Sequence, residues 1–172
     1  MIFATIGNDH HQFSRFSSIV LEILENSDFQ IFYQHGHNHI DFSHPRLTSS
    51  DFISRKKFNS LLLDSSLILC HAGAGTLLQC AYLRKVPFVI PRRACFDEHI
   101  NDHQLETLQQ FVQLDLAIEV KYPLVNSFFS DLSGALVQDS SAVSSSVRHE
   151  ASHSSLNLLS SLQQTISSIL EP

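Results

Sequence analysis

No apolar run in this 172-residue chain approaches the roughly 18–20 residues that cross a bilayer, so no transmembrane helix is expected. The opening "MIFATIG" reads as a strand and lacks the charged leader and apolar core of a signal peptide, and none is expected. Cysteine is scarce. Cys70, Cys80 and Cys95 form no CxxC pair and no even framework, which points to a reducing, cytoplasmic setting rather than a disulfide-stapled secreted domain. Basic residues are also few: 11 Lys and Arg stand against 17 Asp and Glu, a formal charge of −6. That balance argues against nucleic-acid binding, which normally needs a basic face. Two nucleotide fingerprints are missing as well, since the chain has neither a GK[ST] P-loop nor a GxGxxG turn.

What is present suits one domain with a sizeable core and falls short of two. Apolar residues make up 43% of the chain. Strand-like runs at 1–7, 29–35, 66–70, 88–91 and 116–120 alternate with helix-like segments at 12–26, around Leu61–Leu63, at 74–84 and at 99–112. Residues 36–45, "GHNHIDFSHP", read as a polar loop. The alternation predicts an α/β fold, a Rossmann-like doubly wound parallel sheet, over residues 1–126. In such sheets ligands bind beyond the carboxyl ends of the strands. Here those ends are Gly7-Asn8, His35-Gly36, His71–Thr76 and Pro91-Arg92. Past residue 126 the composition changes, and a Ser-rich linker is expected over 127–155. Leu156, Leu159, Leu162, Ile166 and Ile169 recur at helical spacing, so 156–172 is expected to be an amphipathic helix. It would either pack back on the sheet or dock on a partner protein.

Three clusters carry chemistry. In "HAGAGT", Gly73 and Gly75 let the backbone approach a ligand, and a helix starting near Ala74 would aim free N–H groups at an anion. Thr76 adds a hydroxyl. A purely structural tight turn would look the same. In "PRRACFDEHINDHQLE", Arg92 and Arg93 can neutralise phosphate. Glu98, His99, Asp102, His103 and Gln104 crowd the start of the next helix, either as caps or as partners for sugar hydroxyls. His35, His37 and His39 alternate, as zinc ligands on an extended segment might, or simply belong to a solvated loop. His10 and His11 directly follow the first strand and are candidates for a general base or a phosphate donor.

Together, "MIFATIGNDHHQFSR", "FQIFYQHG", "CHAGAGTLLQCAYLRKVPFVIPRR" and "DEHINDHQLE" resemble glycosyltransferase family 28, specifically its donor-binding C-terminal domain. Within the family they look most like the small subunits of split UDP-sugar transferases of the dolichol pathway and of bacterial exopolysaccharide synthesis. The resemblance implies one half of a GT-B fold. It implies inverting, metal-independent transfer of a hexosyl group from a UDP-sugar such as UDP-GlcNAc to a lipid-linked acceptor. No separate cofactor and no metal site are implied. The acceptor half would be a separate, membrane-anchored partner subunit holding this chain at the membrane. Carried over by position, Gly7 and Asn8 meet the donor pyrophosphate, and His71, Ala72, Gly73, Ala74, Gly75 and Thr76 hold the diphosphate. Arg92 and Arg93 end the preceding strand, while Asp102, His103 and Gln104 lie where the family touches the donor sugar. Gln79 replaces the Glu that usually binds the ribose. Two other readings compete: a non-catalytic nucleotide-sugar-binding or regulatory subunit, and a His-rich metal-binding module.

Overall fold

The computed structural model describes residues 1–124 and 128–134. Six strands form one sheet: β1 (Ile2–Thr5), β2 (Ile31–Gln34), β3 (Leu47–Ser50), β4 (Leu67–His71), β5 (Phe88–Ile90) and β6 (Ile118–Glu119). Every neighbouring pair is parallel, and the order is β3-β2-β1-β4-β5-β6. This is the doubly wound arrangement expected from the alternation, with the strand order reversing between β1 and β4. Four α-helices lie within residues 1–124: α1 (Ser14–Asn26), α2 (Arg55–Asp64), α3 (Ala74–Tyr82) and α4 (His103–Gln113).

Central strands buried on both faces read as continuous apolar runs, and β1 shows why. Its Ile2 and Ala4 face one core, and Phe3 faces the other. The first core takes Phe16, Ile19, Val20, Ile23 and Leu24 from the apolar stripe of α1. A hydrogen bond between Ser17 Oγ and Tyr33 Oη, 3.0 Å long, ties α1 to β2. The second core gathers Leu61, Leu62, Leu77, Cys80 and Leu108 from α2, α3 and α4. Burial pushes the Cys70 thiol well up and the Cys80 thiol to about 12, so both sulfurs serve as small apolar groups.

Three expectations are corrected. Strand β3 falls within a stretch without an apolar run: "LTSS" is a short, mostly exposed edge strand, and its polarity hides it. Helix α4 starts at His103 rather than 99. A 3₁₀ turn at Ala94–Phe96 and a left-handed Asp97 (φ 56) hold the preceding loop out of the helix. Residues 128–134 are helical, with Phe128 and Leu132 buried in the α1-side core, so the packed unit runs past the boundary expected at 126. The rest of the expected linker and the amphipathic helix at 156–172 lie outside the described residues.

Candidate functional site

Beyond the carboxyl ends of β1, β2, β3 and β4 lies a cleft of about 440 Å³. Gly7 and Asn8 from the turn after β1 form one side, together with Gln34 at the end of β2. His71, Gly73, Gly75, Thr76 and Gln79 continue the lining from the turn after β4 into α3. Gly7 adopts a φ of 74°, a left-handed conformation that glycine takes without strain. Gln34 fixes this turn by donating from Nε2 to the carbonyls of Gly7 (3.3 Å) and Asp51 (2.9 Å). Its Oε1 accepts from Thr5 Oγ1 at 2.5 Å.

Across the cleft, α3 begins with Gly73 as its cap, and no side chain bonds to the amides of its first turn. These N–H groups have no acceptor within the helix and point, with the positive end of its dipole, toward the cleft. A Cβ added at Gly75 would meet nothing within 4 Å, so the glycine leaves open room there. Ala74 is the exposed first residue of α3, whereas Ala72 is buried and packs in the core beneath the turn. Gln79 Oε1 is shielded from solvent and has no hydrogen-bond partner.

The third wall, from Phe52, Ile53, Arg55, Phe58 and Asn59, carries no recognisable motif in the sequence. Its one early signal is Ser54, which caps α2 by accepting from Lys57 N at 3.2 Å. The cleft is therefore graded. One end is backbone N–H and imidazole, and the other is apolar rings with the cation Arg55.

Arg92 does not line this cleft. It is fully buried, and Nη1 donates to the carbonyls of His11 (2.8 Å) and Glu98 (3.0 Å), while Nη2 donates to that of Ile6 (3.2 Å). Its guanidinium also lies 4.7 Å from the centre of the Phe13 ring. All of this makes Arg92 an internal clamp that binds the β1 turn to the loop after β5, not a free phosphate ligand. Glu98 and Gln104 are internal too. The Glu98 carboxylate takes two bonds from Arg15 (3.1 and 2.6 Å) and one from Arg93 N (3.0 Å). Gln104 Oε1 accepts from Arg92 N at 3.1 Å. Asp102 turns back to accept from Ala94 N at 2.8 Å and lies 3.7 Å from Arg93 Nε. His103 is exposed and bonds Asn101 Oδ1.

Beside Gly7, the Asp9 carboxylate, given no role in the sequence reading, organises the histidines. Asp9 Oδ1 accepts from the His11 backbone N–H (2.8 Å) and pairs with His11 Nδ1 (2.6 Å). Asp9 Oδ2 lies 3.5 Å from His99 Nε2. Burial pulls the Asp9 carboxyl upward, but the two His11 bonds and the Arg92 charge outweigh it and hold the group below its usual range. His10, by contrast, is exposed and touches only rings, with His11 and His37 at 6.4 and 5.7 Å. His35, His37 and His39 do not share a face. A turn at Gly36-His37 breaks the alternation, and among the described residues no three His, Cys, Asp or Glu converge as metal ligands.

Residues 1–126 match the family described as Glycosyltransferase family 28 C-terminal domain. The UDP-N-acetylglucosamine transferase subunit ALG13 of Candida albicans is 34% identical over 67 residues, which cover 39% of this chain and 22% of that protein. The chain thus spans under a quarter of the length of that curated relative. Among solved structures, Acinetobacter baumannii MurG superposes with a TM-score of 0.57 at 16% identity, covering 95% of this chain and 51% of MurG. The glycosyltransferase SnogD of Streptomyces nogalater gives 0.57 at 13%, covering 96% of this chain and 43% of SnogD. A solution structure of ALG13 gives 0.51 at 17%, covering 80% of this chain and 86% of that chain. At these identities the structures establish the fold, and this chain spans about half the length of MurG and somewhat less of SnogD.

Proposed function

We propose, for a chain that belongs to the glycosyltransferase family 28 C-terminal domain family, that it is the donor-binding subunit of a UDP-sugar transferase. The observation that carries this reading is the graded cleft. Its uncapped α3 N-terminus and the Gly7-Asn8 turn suit a diphosphate, and Phe52, Ile53 and Phe58 suit a flat base. Gln79 Oε1, buried and unpartnered, awaits a hydroxyl of the ribose between them. Arg55 is the cation at this cleft and replaces Arg92 in that role.

The proposed reaction is inverting and metal-independent transfer of a hexosyl group such as GlcNAc to a lipid-linked acceptor. The acceptor oxygen forms a bond to the anomeric carbon as that carbon's bond to the diphosphate oxygen breaks. UDP leaves toward the α3 amides, which stabilise its charge. The acceptor proton passes to His11, whose Nδ1 is held by Asp9, leaving Nε2 as the base. His10 has no carboxylate partner and is set aside as the base. The acceptor would be held by a separate, membrane-anchored partner, which would keep this chain at the cytoplasmic side of the membrane. The coverage of MurG and SnogD supports a missing half.

One observation favours a second reading. Gln79 lacks the charge expected at the ribose, which suits a subunit that binds nucleotide-sugar without catalysing transfer. Thermal shift with UDP in the presence of a chelator tests the donor site. UDP should raise the Tm, and a shift with zinc alone would overturn the reading. His11→Ala separates the two readings in a reconstituted transfer assay: UDP binding persists, and transfer falls about 100-fold or more if the subunit is catalytic.

A further inference from the structure

Gly73 has an ordinary extended backbone, φ −78 and ψ 123, so its own conformation does not demand glycine. One neighbour does. A Cβ at Gly73 would lie 2.2 Å from His71 Nε2 and 2.8 Å from Cε1. A Cβ at Gly7 would also lie 2.7 Å from the same Cε1 and 2.8 Å from Nε2, so the ring is in close contact with both turns. The imidazole is therefore gripped between the turn after β1 and the turn after β4, and its width sets their separation.

The ring has little room to retreat. Its Nδ1 is shielded from solvent and faces the Thr5 backbone without completing a hydrogen bond of ordinary geometry. The charged and titratable groups around it are Arg92 beneath the β1 turn, Asp9 on that turn, and His99 on the loop after β5. Burial first, then the Arg92 charge, lowers the imidazole to about 4, against the opposing pull of the Thr5 backbone and Asp9. Without a bound anion, the ring is therefore neutral at pH 7.

We infer that His71 is a positioning residue, an uncharged spacer that holds the Gly7 and Gly73 turns at the separation a donor diphosphate requires. At Gly73 the ring alone demands glycine, whereas at Gly7 the ring adds to a φ of 74° that already favours it. This rests on the donor-site reading of the same cleft, and it assigns His71 a mechanical role there in place of direct charge neutralisation.

A substitution cycle tests it, with UDP affinity by calorimetry and Tm as separate readouts. Gly73→Ala alone should weaken UDP binding about tenfold or more and lower the Tm, because the Cβ and the ring collide. In a His71→Ala background the same Gly73→Ala change should add nothing to either loss. Gly7→Ala should remain damaging in both backgrounds, because its φ of 74° stays strained. His71→Leu, close in bulk but without nitrogen, should keep UDP affinity within about threefold. It should also show the wild-type pH profile between about pH 5.5 and 8. The inference is overturned if Gly73→Ala costs as much Tm with His71 gone as with it present, or if Leu is as damaging as Ala. If wild type bound no UDP, the donor reading would fall, and the Tm arm of the cycle would still decide the spacer.

Discussion

Arg92→Met is expected to cost stability rather than donor affinity, and it tests the internal-clamp assignment directly. Arg92 is the largest side chain with no exposed surface, and it serves three main-chain carbonyls, those of Ile6, His11 and Glu98. Methionine would fill most of the volume and remove a buried charge, which offsets part of the loss. It would leave the three carbonyls without their donor, at about 1–3 kcal/mol each. The net cost should be about 3–5 kcal/mol, a large share of the roughly 5–15 kcal/mol that holds a typical domain folded. In urea, with a slope of about 2 kcal/mol per molar, the midpoint should fall by about 2 M at an unchanged slope. Circular dichroism follows that transition, and UDP titration well below the midpoint measures binding on the folded fraction. Stability within about 1 kcal/mol of wild type, together with a tenfold loss of UDP affinity, would refute the clamp and make Arg92 a phosphate ligand.

Three further outcomes follow from the geometry. Because His71 is held near 4 when folded and titrates near 6.5 when unfolded, only the unfolded chain takes up this proton between those values. Stability should therefore fall as pH drops from about 6.5 to about 4, by up to about 3 kcal/mol, and His71→Leu should lack this component in denaturant titrations across that window. Gly36→Ala places a Cβ 2.8 Å from the Gly7 carbonyl at a φ of 55°. It should destabilise by about 1–3 kcal/mol and weaken UDP binding by displacing the Gly7 turn. Gln79→Glu should tighten UDP about 3- to 10-fold in calorimetry, because a charged acceptor bonds hydroxyls more strongly than a neutral one. Unchanged affinity would place the ribose elsewhere.

Half of the cleft is legible in the sequence, for a physical reason. Gly7-Asn8 and His71–Thr76 terminate β1 and β4, whose residues are almost all buried and so stand out as apolar runs. The wall after β3 is not legible, because that strand's residues are half or fully exposed and, apart from Leu47, polar. Without that strand, Phe52, Ile53 and Phe58 read as ordinary apolar residues. Arg92 shows the opposite failure. An arginine at a strand end looks like an anion ligand, and only its three carbonyl partners reveal that it faces inward. Asp9 was hidden among polar neighbours, and its role emerges only from the 2.6 Å approach of His11 Nδ1. The alternation of His35, His37 and His39 failed because a turn at Gly36 breaks the extended run.

The donor-site assignment is tested most directly by titrating the full chain with UDP in a chelating buffer and mapping backbone amide shifts by NMR. The account predicts saturable binding, with the largest shifts at Gly7, Asn8, Gly73, Gly75, Thr76 and Gln79 and smaller ones at Ile53 and Asn59. An absence of shifts at millimolar UDP, or shifts confined to residues outside this cleft, would contradict it.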